Sequence, residues 1–317
     1  MTERGPIVCA TDLSVSGAEA VEIAARIAAA TGRALELVHV GAPLPEVSGE
    51  PRNEAERVYR ERARSRHDAT EQALAKERER AASLGPHASA TLLDGRTWEA
   101  IIEHAEKVQA SLLVVGPHGH AGPRESTRRG IGEWILGSTA DRILRHAPCP
   151  VLVGPRGDAP AHPVSGGTWV VAIDFSDPSR AALKLAVALA KPCGAKLVAL
   201  HVTYDPLMRL DPADVEEPFP PRDDVLHPDR VGANAALAAK KHAELVGLVK
   251  GELGEPIEVR VVVGEAAGAI AEHAKDVDAR LIVMGTHGRT GLSRFLLGST
   301  AERTLRLSAV PVLAVRA

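Results

Sequence analysis

Both halves of the chain alternate short apolar runs with amphipathic segments. In the first half, Val21, Ala24, Ala25 and Ala28 recur at i, i+3, i+4 and i+7, which predicts one buried face of a helix. The run 112–115 is apolar throughout, as is typical of a parallel strand buried on both faces. The predicted order βαβαβαβαβ indicates an α/β fold with a doubly wound parallel sheet. The strand candidates of the first half are Ile7–Ala10, Leu35–Val40, Ala88–Leu93, 112–115 and 150–153.

The second half of the chain repeats the first. The aligned segments are 7–40 with 169–202, and 137–153 with 298–314. Because self-similarity over this length indicates a duplicated unit, we expect two domains, at residues 1–155 and 168–317, each with a five-stranded parallel sheet. The Pro-, Gly- and Ser-containing stretch 155–167 is typical of a linker between them.

The composition is that of an ordinary globular protein, with 45% hydrophobic and 25% charged residues among 317. A formal net charge of -3 and only 3% aromatic residues argue against a nucleic acid partner, which needs basic and stacking surfaces. No apolar run approaches the ~20 residues of a membrane span, and the start of the chain shows no secretory signal. The three cysteines fit no disulfide framework. We therefore expect a cytoplasmic protein without a membrane partner.

Ligands of doubly wound sheets bind beyond the carboxyl ends of the strands, where the strand order reverses. The residues that directly follow the predicted strands are therefore the first candidates for ligand binding. They are Asp12, Val40, Gly95 and Gly116 in the first half, and Asp174, Val202, Gly264 and Gly285 in the second.

A glycine motif in the second half is the most specific signal. Gly285 and Gly288 follow the apolar run 281–284, and nine residues separate Gly288 from Gly298 and Ser299. Glycine permits positive φ and close approach of the backbone to a ligand. Gly298 and Ser299 lie at the predicted start of a helix, where free N–H groups and the helix dipole favour anions. The motif therefore indicates phosphate binding.

A simpler interpretation assigns the same residues to helix capping. Ser299 with Glu302, and Ser138 with Asp141, have the spacing of a capping box, and the glycines would then only make turns. The repetition of a glycine turn after a buried strand, with Gly-Ser opening the next helix, favours phosphate binding in the second half.

With these features the chain resembles a tandem universal stress protein over nearly its whole length. The resemblance rests on the pattern G-x2-G-x9-G-[ST] at 285–299, on Asp12 and Asp174 before a serine-containing turn, and on the apolar final strand of each half. It implies Rossmann-like domains that bind an adenine nucleotide, ATP with or without Mg²⁺. It also implies a pseudo-dimer of the two domains in which the final strands, near 150–153 and 311–315, meet, and it allows a homodimer of whole chains.

The resemblance also suggests how ATP lies in each domain. Adenine is expected near the aspartate after the first strand and the residue that ends the second strand, with ribose and phosphates over the glycine loop. The resulting candidates in the second half are Asp174, Val202, Gly264, Gly285, His287, Gly288, Arg289, Gly298, Ser299 and Thr300. Those in the first half are Asp12, Val40, Gly116, Gly119, Gly137, Ser138 and Thr139.

Two segments interrupt the repeat. In the first half, seventeen residues, 120–136, separate Gly119 from Gly137, and the extra ones are 123–130. The insertion either covers the phosphates with its arginines, Arg124, Arg128 and Arg129, or fills or distorts the pocket, and both interpretations stay open. In the second half, the Pro-rich acidic segment 205–230 predicts a loop.

Three functional hypotheses are compatible with these residues. The first is an ATP-binding stress-response switch, the second a slow ATPase or adenylyl-transferring enzyme, and the third a two-domain scaffold without a ligand. The chain has no GxxxxGK[ST] motif, and no general base is evident opposite the predicted phosphate loop. We therefore expect the switch and no catalytic residues.

Overall fold

A computed structural model describes residues 5–42, 44, 50–118, 136–155, 164–203, 228–254, 256–287 and 297–316. The described residues of the first half form five strands and four helices in alternation. They are β1 (Ile7–Ala10), α1 (Val15–Thr31), β2 (Leu35–Val40), α2 (Glu54–Ala82), β3 (Ala88–Leu93), α3 (Thr97–Lys107), β4 (Leu112–Val115), α4 (Ser138–His146) and β5 (Val151–Val153).

The second half repeats this order. Its elements are β6 (Thr168–Ala172), α5 (Asp177–Cys193), β7 (Lys196–Thr203), α6 (Pro228–Leu253), β8 (Glu258–Val263), α7 (Ala266–Asp276), β9 (Ala279–Gly285), α8 (Ser299–Leu307) and β10 (Val312–Val315). Residues 228–230, which the sequence assigned to a loop, are the first residues of α6. The rest of that predicted loop, 205–227, lies outside the described residues.

The duplicated sequence produces duplicated local structure, as α1 and α5 show. Each begins at a serine, Ser14 or Ser176, whose side chain accepts a hydrogen bond from a backbone N–H of the first turn. Each ends at a glycine in the left-handed region, Gly32 with φ 65° and Gly194 with φ 66°. These are the residue types that satisfy the free N–H and C=O groups of helix ends at low cost.

The strands of the two halves form one sheet in the order β3-β2-β1-β4-β5-β10-β9-β6-β7-β8. Within each half all strand pairs are parallel, as predicted. The halves join through β5 and β10, which pair antiparallel with Leu152 opposite Leu313. The expected contact between the two final strands is therefore present, and it merges the two five-stranded sheets into one of ten strands.

Helices cover both faces of the sheet and create two apolar cores. In β1, Ile7 and Cys9 face one core and Val8 faces the other, which follows from the two-residue period of a strand. The first core includes residues of α1, α2, α5 and α6, and the second includes residues of α3, α4, α7 and α8. Continuous apolar strands are therefore buried on both sides, as the run 112–115 predicts.

Side chains also tie the two halves together beside the shared sheet. The guanidinium of Arg316, which follows β10, donates to the carbonyl oxygens of Leu144 (3.0 Å) and Ala147 (3.4 Å) at the end of α4. Nη2 of Arg145 on α4 lies 3.7 Å from Oε2 of Glu302 on α8. A cation at a helix C-terminus interacts favourably with the helix dipole. In the part of the chain that is described, no helix is both long and apolar enough to cross a membrane.

Candidate functional site

A cleft of about 220 Å³ opens in the second half, beyond the carboxyl ends of β6, β7 and β9. Residues from these strands, from the turns that follow them and from α5, α7 and α8 surround it. The lining residues are Ala172, Ile173, Asp174, Ser179, Leu200, Val202, Ala266, Ile270, Met284, Gly285, Thr286, His287, Gly298, Ser299, Thr300 and Ala301. The cleft lies where doubly wound sheets bind their ligands.

The lining of the cleft contains both apolar and polar groups. Leu200, Val202, Ile270 and Met284 contribute aliphatic and thioether surface, and Leu200 and Met284 are buried. The start of α8 and the carboxylate of Asp174 contribute polar groups. A cleft that combines apolar surface with polar groups suits a small molecule that carries both.

The start of α8 is open to an anion. Its N-cap is Gly298, with φ -64° and ψ 145°, and no side chain caps the helix. The first N–H to bond within the helix is that of Glu302, which donates to the Gly298 carbonyl at 2.9 Å. The N–H groups of Ser299, Thr300 and Ala301 precede that bond, so they belong to the free donors of a helix N-terminus. Positive electrostatic potential from the helix dipole adds to their attraction for an anion.

This geometry excludes the capping-box interpretation for both halves. Ser299 and Ser138 are the first helical residues rather than the N-caps, because Gly298 and Gly137 hold the N-cap positions. A glycine has no side-chain oxygen with which to close the box. The two helices therefore start without the side-chain cap that α1 and α5 have.

Gly285 does not have the positive φ that the sequence suggested, and a close contact with α5 explains why this position needs a glycine. It is the last residue of β9 and is not among the glycines with positive φ. A Cβ atom at this position would lie 2.8 Å from the Cβ of Pro178 and 3.0 Å from the backbone nitrogen of Ser179. Glycine therefore lets the first turn of α5 pack directly on the end of β9.

Asp174 lies in a tight turn between β6 and α5. Its Oδ1 accepts hydrogen bonds from the backbone N–H (3.0 Å) and the hydroxyl (2.5 Å) of Ser176. Asp12 makes the same two bonds with Ser14, at 3.0 and 2.5 Å. Both carboxylates are thus oriented by the serine that caps the following helix. Within the described part of the chain, Oδ2 of Asp12 is buried without a hydrogen-bond partner.

Thr286 and His287 form the turn after β9. The hydroxyl oxygen of Thr286 is 2.9 Å from Nδ1 of His287. The backbone N–H of Thr286 donates to the carbonyl oxygen of Val315. Burial lowers the pKa of His287, and the nearby charge of Arg316 lowers it further. Both effects disfavour the cationic ring, so His287 is held in its neutral form at neutral pH.

The cleft brings together most of the candidates of the second half. Those that line it are Asp174, Val202, Gly285, His287, Gly298, Ser299 and Thr300. Gly264 does not line it, and Ala266 and Ile270 of the adjoining helix do so instead. Gly288 and Arg289 lie outside the described residues.

The candidates of the first half occupy equivalent places in the fold. Asp12 lies two residues past the end of β1, Val40 ends β2 and Gly116 follows β4. Gly137 is the N-cap of α4, with φ -60°, and no side chain caps this helix, which starts with Ser138 and Thr139. Gly119 and the insertion 123–130 lie outside the described residues, so both interpretations of the insertion remain predictions.

Several lining residues were missed from the sequence. Ser179 is buried in the first turn of α5, and Ile270 and Met284 contribute apolar surface. Ile270 belongs to an amphipathic helix, and such a pattern indicates burial without showing that the residue faces a cleft. The second half also differs from the first here, because Thr11 and Gly17 align with Ile173 and Ser179.

Comparison with known proteins agrees with this fold. The model of the universal stress protein family matches residues 3–155 and 168–316. A universal stress protein of Methanocaldococcus jannaschii is 38% identical over 148 residues, which cover 46% of this chain and 80% of that protein. Another, from Mycolicibacterium smegmatis, is 31% identical over 207 residues, which cover 65% of this chain and 62% of the relative.

A solved structure extends the similarity over the whole chain. The crystal structure of a universal stress protein from Archaeoglobus fulgidus aligns with 99% of this chain and 99% of its own, with a TM-score of 0.64 and 20% identity. At this identity the likeness concerns the fold. Because the family model matches each half separately and the two matches leave only short segments uncovered, the chain belongs to the universal stress protein family and carries two copies of its domain.

Proposed function

We propose that this protein binds ATP in the cleft of its second domain and acts as a nucleotide-dependent stress-response switch in the cytoplasm. The observation that carries the proposal is the open N-terminus of α8 at one side of a partly apolar cleft. Such a pair of surfaces suits a ligand that carries both an anionic group and an apolar group.

The two parts of the cleft suggest an orientation for the nucleotide. The phosphates lie at the N–H groups of Ser299 and Thr300, where the free donors of the helix replace water. Adenine lies against Val202 and Met284, near the turn that holds Asp174. Ribose then lies between them, over the turn after β9.

Binding of Mg²⁺ to the described residues would depend on ligands that the nucleotide supplies. No group of three His, Cys, Asp or Glu side chains that could hold a metal ion occurs in the described part of the chain. Asp174 is the one carboxylate among the residues that line the cleft, and its Oδ1 already accepts two hydrogen bonds. Since Mg²⁺ is commonly held by one or two carboxylates together with phosphates, it would enter with ATP rather than before it.

The first domain is proposed to carry a second and non-identical site. Its helix α4 starts at Gly137 without a side-chain cap, so the anion-binding element is repeated. The surrounding residues differ, with Thr11 and Gly17 where the second domain has Ile173 and Ser179. The two domains are joined by β5 and β10, and we propose that a homodimer of whole chains can build on this intramolecular pair.

Nucleotide analysis of the acid-denatured purified protein, followed by calorimetric titration of nucleotide-free protein, tests the proposal. A near-stoichiometric amount of adenine nucleotide is expected. Ser299→Asp places a carboxylate where the phosphates would lie and should weaken ATP binding by about tenfold or more. An acidic residue in the first turn stabilises a helix by about 0.3–1 kcal/mol, so this variant should remain folded.

Ser138→Asp is the matched control, since it makes the same change at the equivalent position of the first domain. It should leave the affinity of the second site unchanged. A parent protein that binds no adenine nucleotide would support the ligand-free scaffold instead. If Ser299→Asp binds ATP as tightly as the parent, the site lies elsewhere, and steady phosphate release from ATP would replace the switch with an ATPase.

A further inference from the structure

The turn between β6 and α5 has an unfavourable backbone conformation. Phe175 has φ 68°, in the left-handed region that a bulky residue rarely adopts. The two residues before it, Ile173 and Asp174, both line the cleft. Because such a conformation persists only when neighbouring groups hold it, the contacts of this turn determine where Asp174 lies.

In addition to the bonds between Asp174 and Ser176, His201 on β7 makes a further contact that holds the turn. The side chain is buried, with 7% of its surface exposed. Its Nδ1 is 2.6 Å from the carbonyl oxygen of Ile173. A carbonyl oxygen is only an acceptor, so Nδ1 carries a proton and donates it. The imidazole also packs against the ring of Phe175, with 4.8 Å between the centroids.

The first domain contains the same hydrogen bond. Nδ1 of His39 is 2.8 Å from the carbonyl oxygen of Thr11, and Leu13 has φ 64° at the position of Phe175. Leu13 has no aromatic ring, so the ring contact is specific to the second domain. The histidine, the carbonyl and the left-handed residue are the features that both domains share.

We infer that His201 is a positioning residue, which holds Asp174 in its place in the nucleotide cleft through the carbonyl of Ile173, and that His39 does the same for Asp12. The inference rests on the proposed nucleotide site. It adds a residue that does not itself line the cleft and acts on the ligand through the backbone of the turn.

Two amide variants separate this role from simple packing. In His201→Asn the side-chain NH₂ lies close to the position of Nδ1, whereas in His201→Gln it lies close to that of Nε2. Both side chains are neutral and polar, and both variants lack the imidazole ring, so they differ mainly in where the NH₂ group lies. Calorimetric titration with ATP, in full-length protein carrying Ser138→Asp to isolate the second site, gives the affinity of each variant. Thermal unfolding without nucleotide shows that each is folded.

We expect His201→Asn to bind within about threefold of its parent and His201→Gln to bind about tenfold more weakly, which is the scale of one lost hydrogen bond. Phe175→Leu copies the first domain and should also bind within about threefold. Equal affinity of the Asn and Gln variants overturns the inference, as does a Phe175→Leu variant as weak as His201→Gln. A parent that binds no ATP overturns the proposed function itself, and that failure is visible before any variant is compared.

Discussion

Replacement of Gly285 by alanine tests the packing of α5 on β9. The added Cβ would lie 2.8 Å from the Cβ and 2.9 Å from the carbonyl carbon of Pro178. Carbon atoms in contact normally lie about 3.5–4.0 Å apart. The overlap is therefore roughly 0.7–1.2 Å, and it involves backbone atoms, so the rotation of a side chain cannot relieve it and the backbone at the start of α5 must shift.

The expected cost follows from overpacking in a dense interior. Substitutions that force such shifts destabilise proteins by about 1–3 kcal/mol. In urea denaturation followed by circular dichroism, this should lower the transition midpoint by roughly 0.3–1 M, for a slope of about 3 kcal/mol/M in a chain of this size. Since Ser179 and Gly285 both line the cleft, the same shift should also weaken ATP binding.

Gly251→Ala is the control for the effect of the residue type alone. Gly251 is exposed on α6, and a Cβ there would meet nothing within 4 Å. Alanine is the better helix former, so this variant should gain about 0.5–1 kcal/mol. The reasoning would be refuted if Gly285→Ala unfolded at the same urea concentration as the parent while Gly251→Ala showed its expected gain.

Two further predictions concern the contact between the domains and the response to acid. Arg316→Gln removes charged donors from the carbonyls of Leu144 and Ala147 and should destabilise the protein by about 1–3 kcal/mol. Arg306→Gln is the control, because Arg306 pairs with Glu302 on the same helix and such a partly exposed ion pair contributes only about 0–1 kcal/mol. Equal effects of the two variants in urea denaturation would contradict this. Burial lowers the pKa of His273, so the unfolded chain binds more protons below about pH 6.5 and stability should fall as the pH decreases through that range. In His273→Leu the loss of stability at low pH should be smaller. A dependence of stability on pH that is the same as in the parent would exclude His273 as its source.

The order of elements and the duplication could be predicted from the sequence, because both depend on local patterns. Apolar runs mark strands that are buried on both faces, and residues such as Ser14 and Gly32 satisfy the ends of a helix within one turn of chain. The position of the cleft followed from the same reasoning, since carboxyl ends of parallel strands meet at one edge. Asp174, Val202 and Ser299 were therefore identified before any contact was known.

Contacts between distant segments could be decided only by the tertiary structure. The spacing of Ser299 and Glu302 fits both a capping box and an open helix start, and only the placement of Gly298 at the N-cap excludes the first. The sequence marks Gly285 as special, but the reason for it is the approach of Pro178, which lies more than one hundred residues earlier in the chain.

His201 illustrates the same division. In the sequence it is one residue of an apolar strand, and its bond to the carbonyl of Ile173 depends on the register between β6 and β7. The hydrophobic period and the composition of a segment indicate which of its residues are buried. The conformation of a turn that is held by a neighbouring strand depends on which strands lie next to each other in the sheet. The amino-acid pattern therefore determined the elements and the edge at which the cleft forms. Tertiary packing determined which side chains line the cleft and which hold them in place.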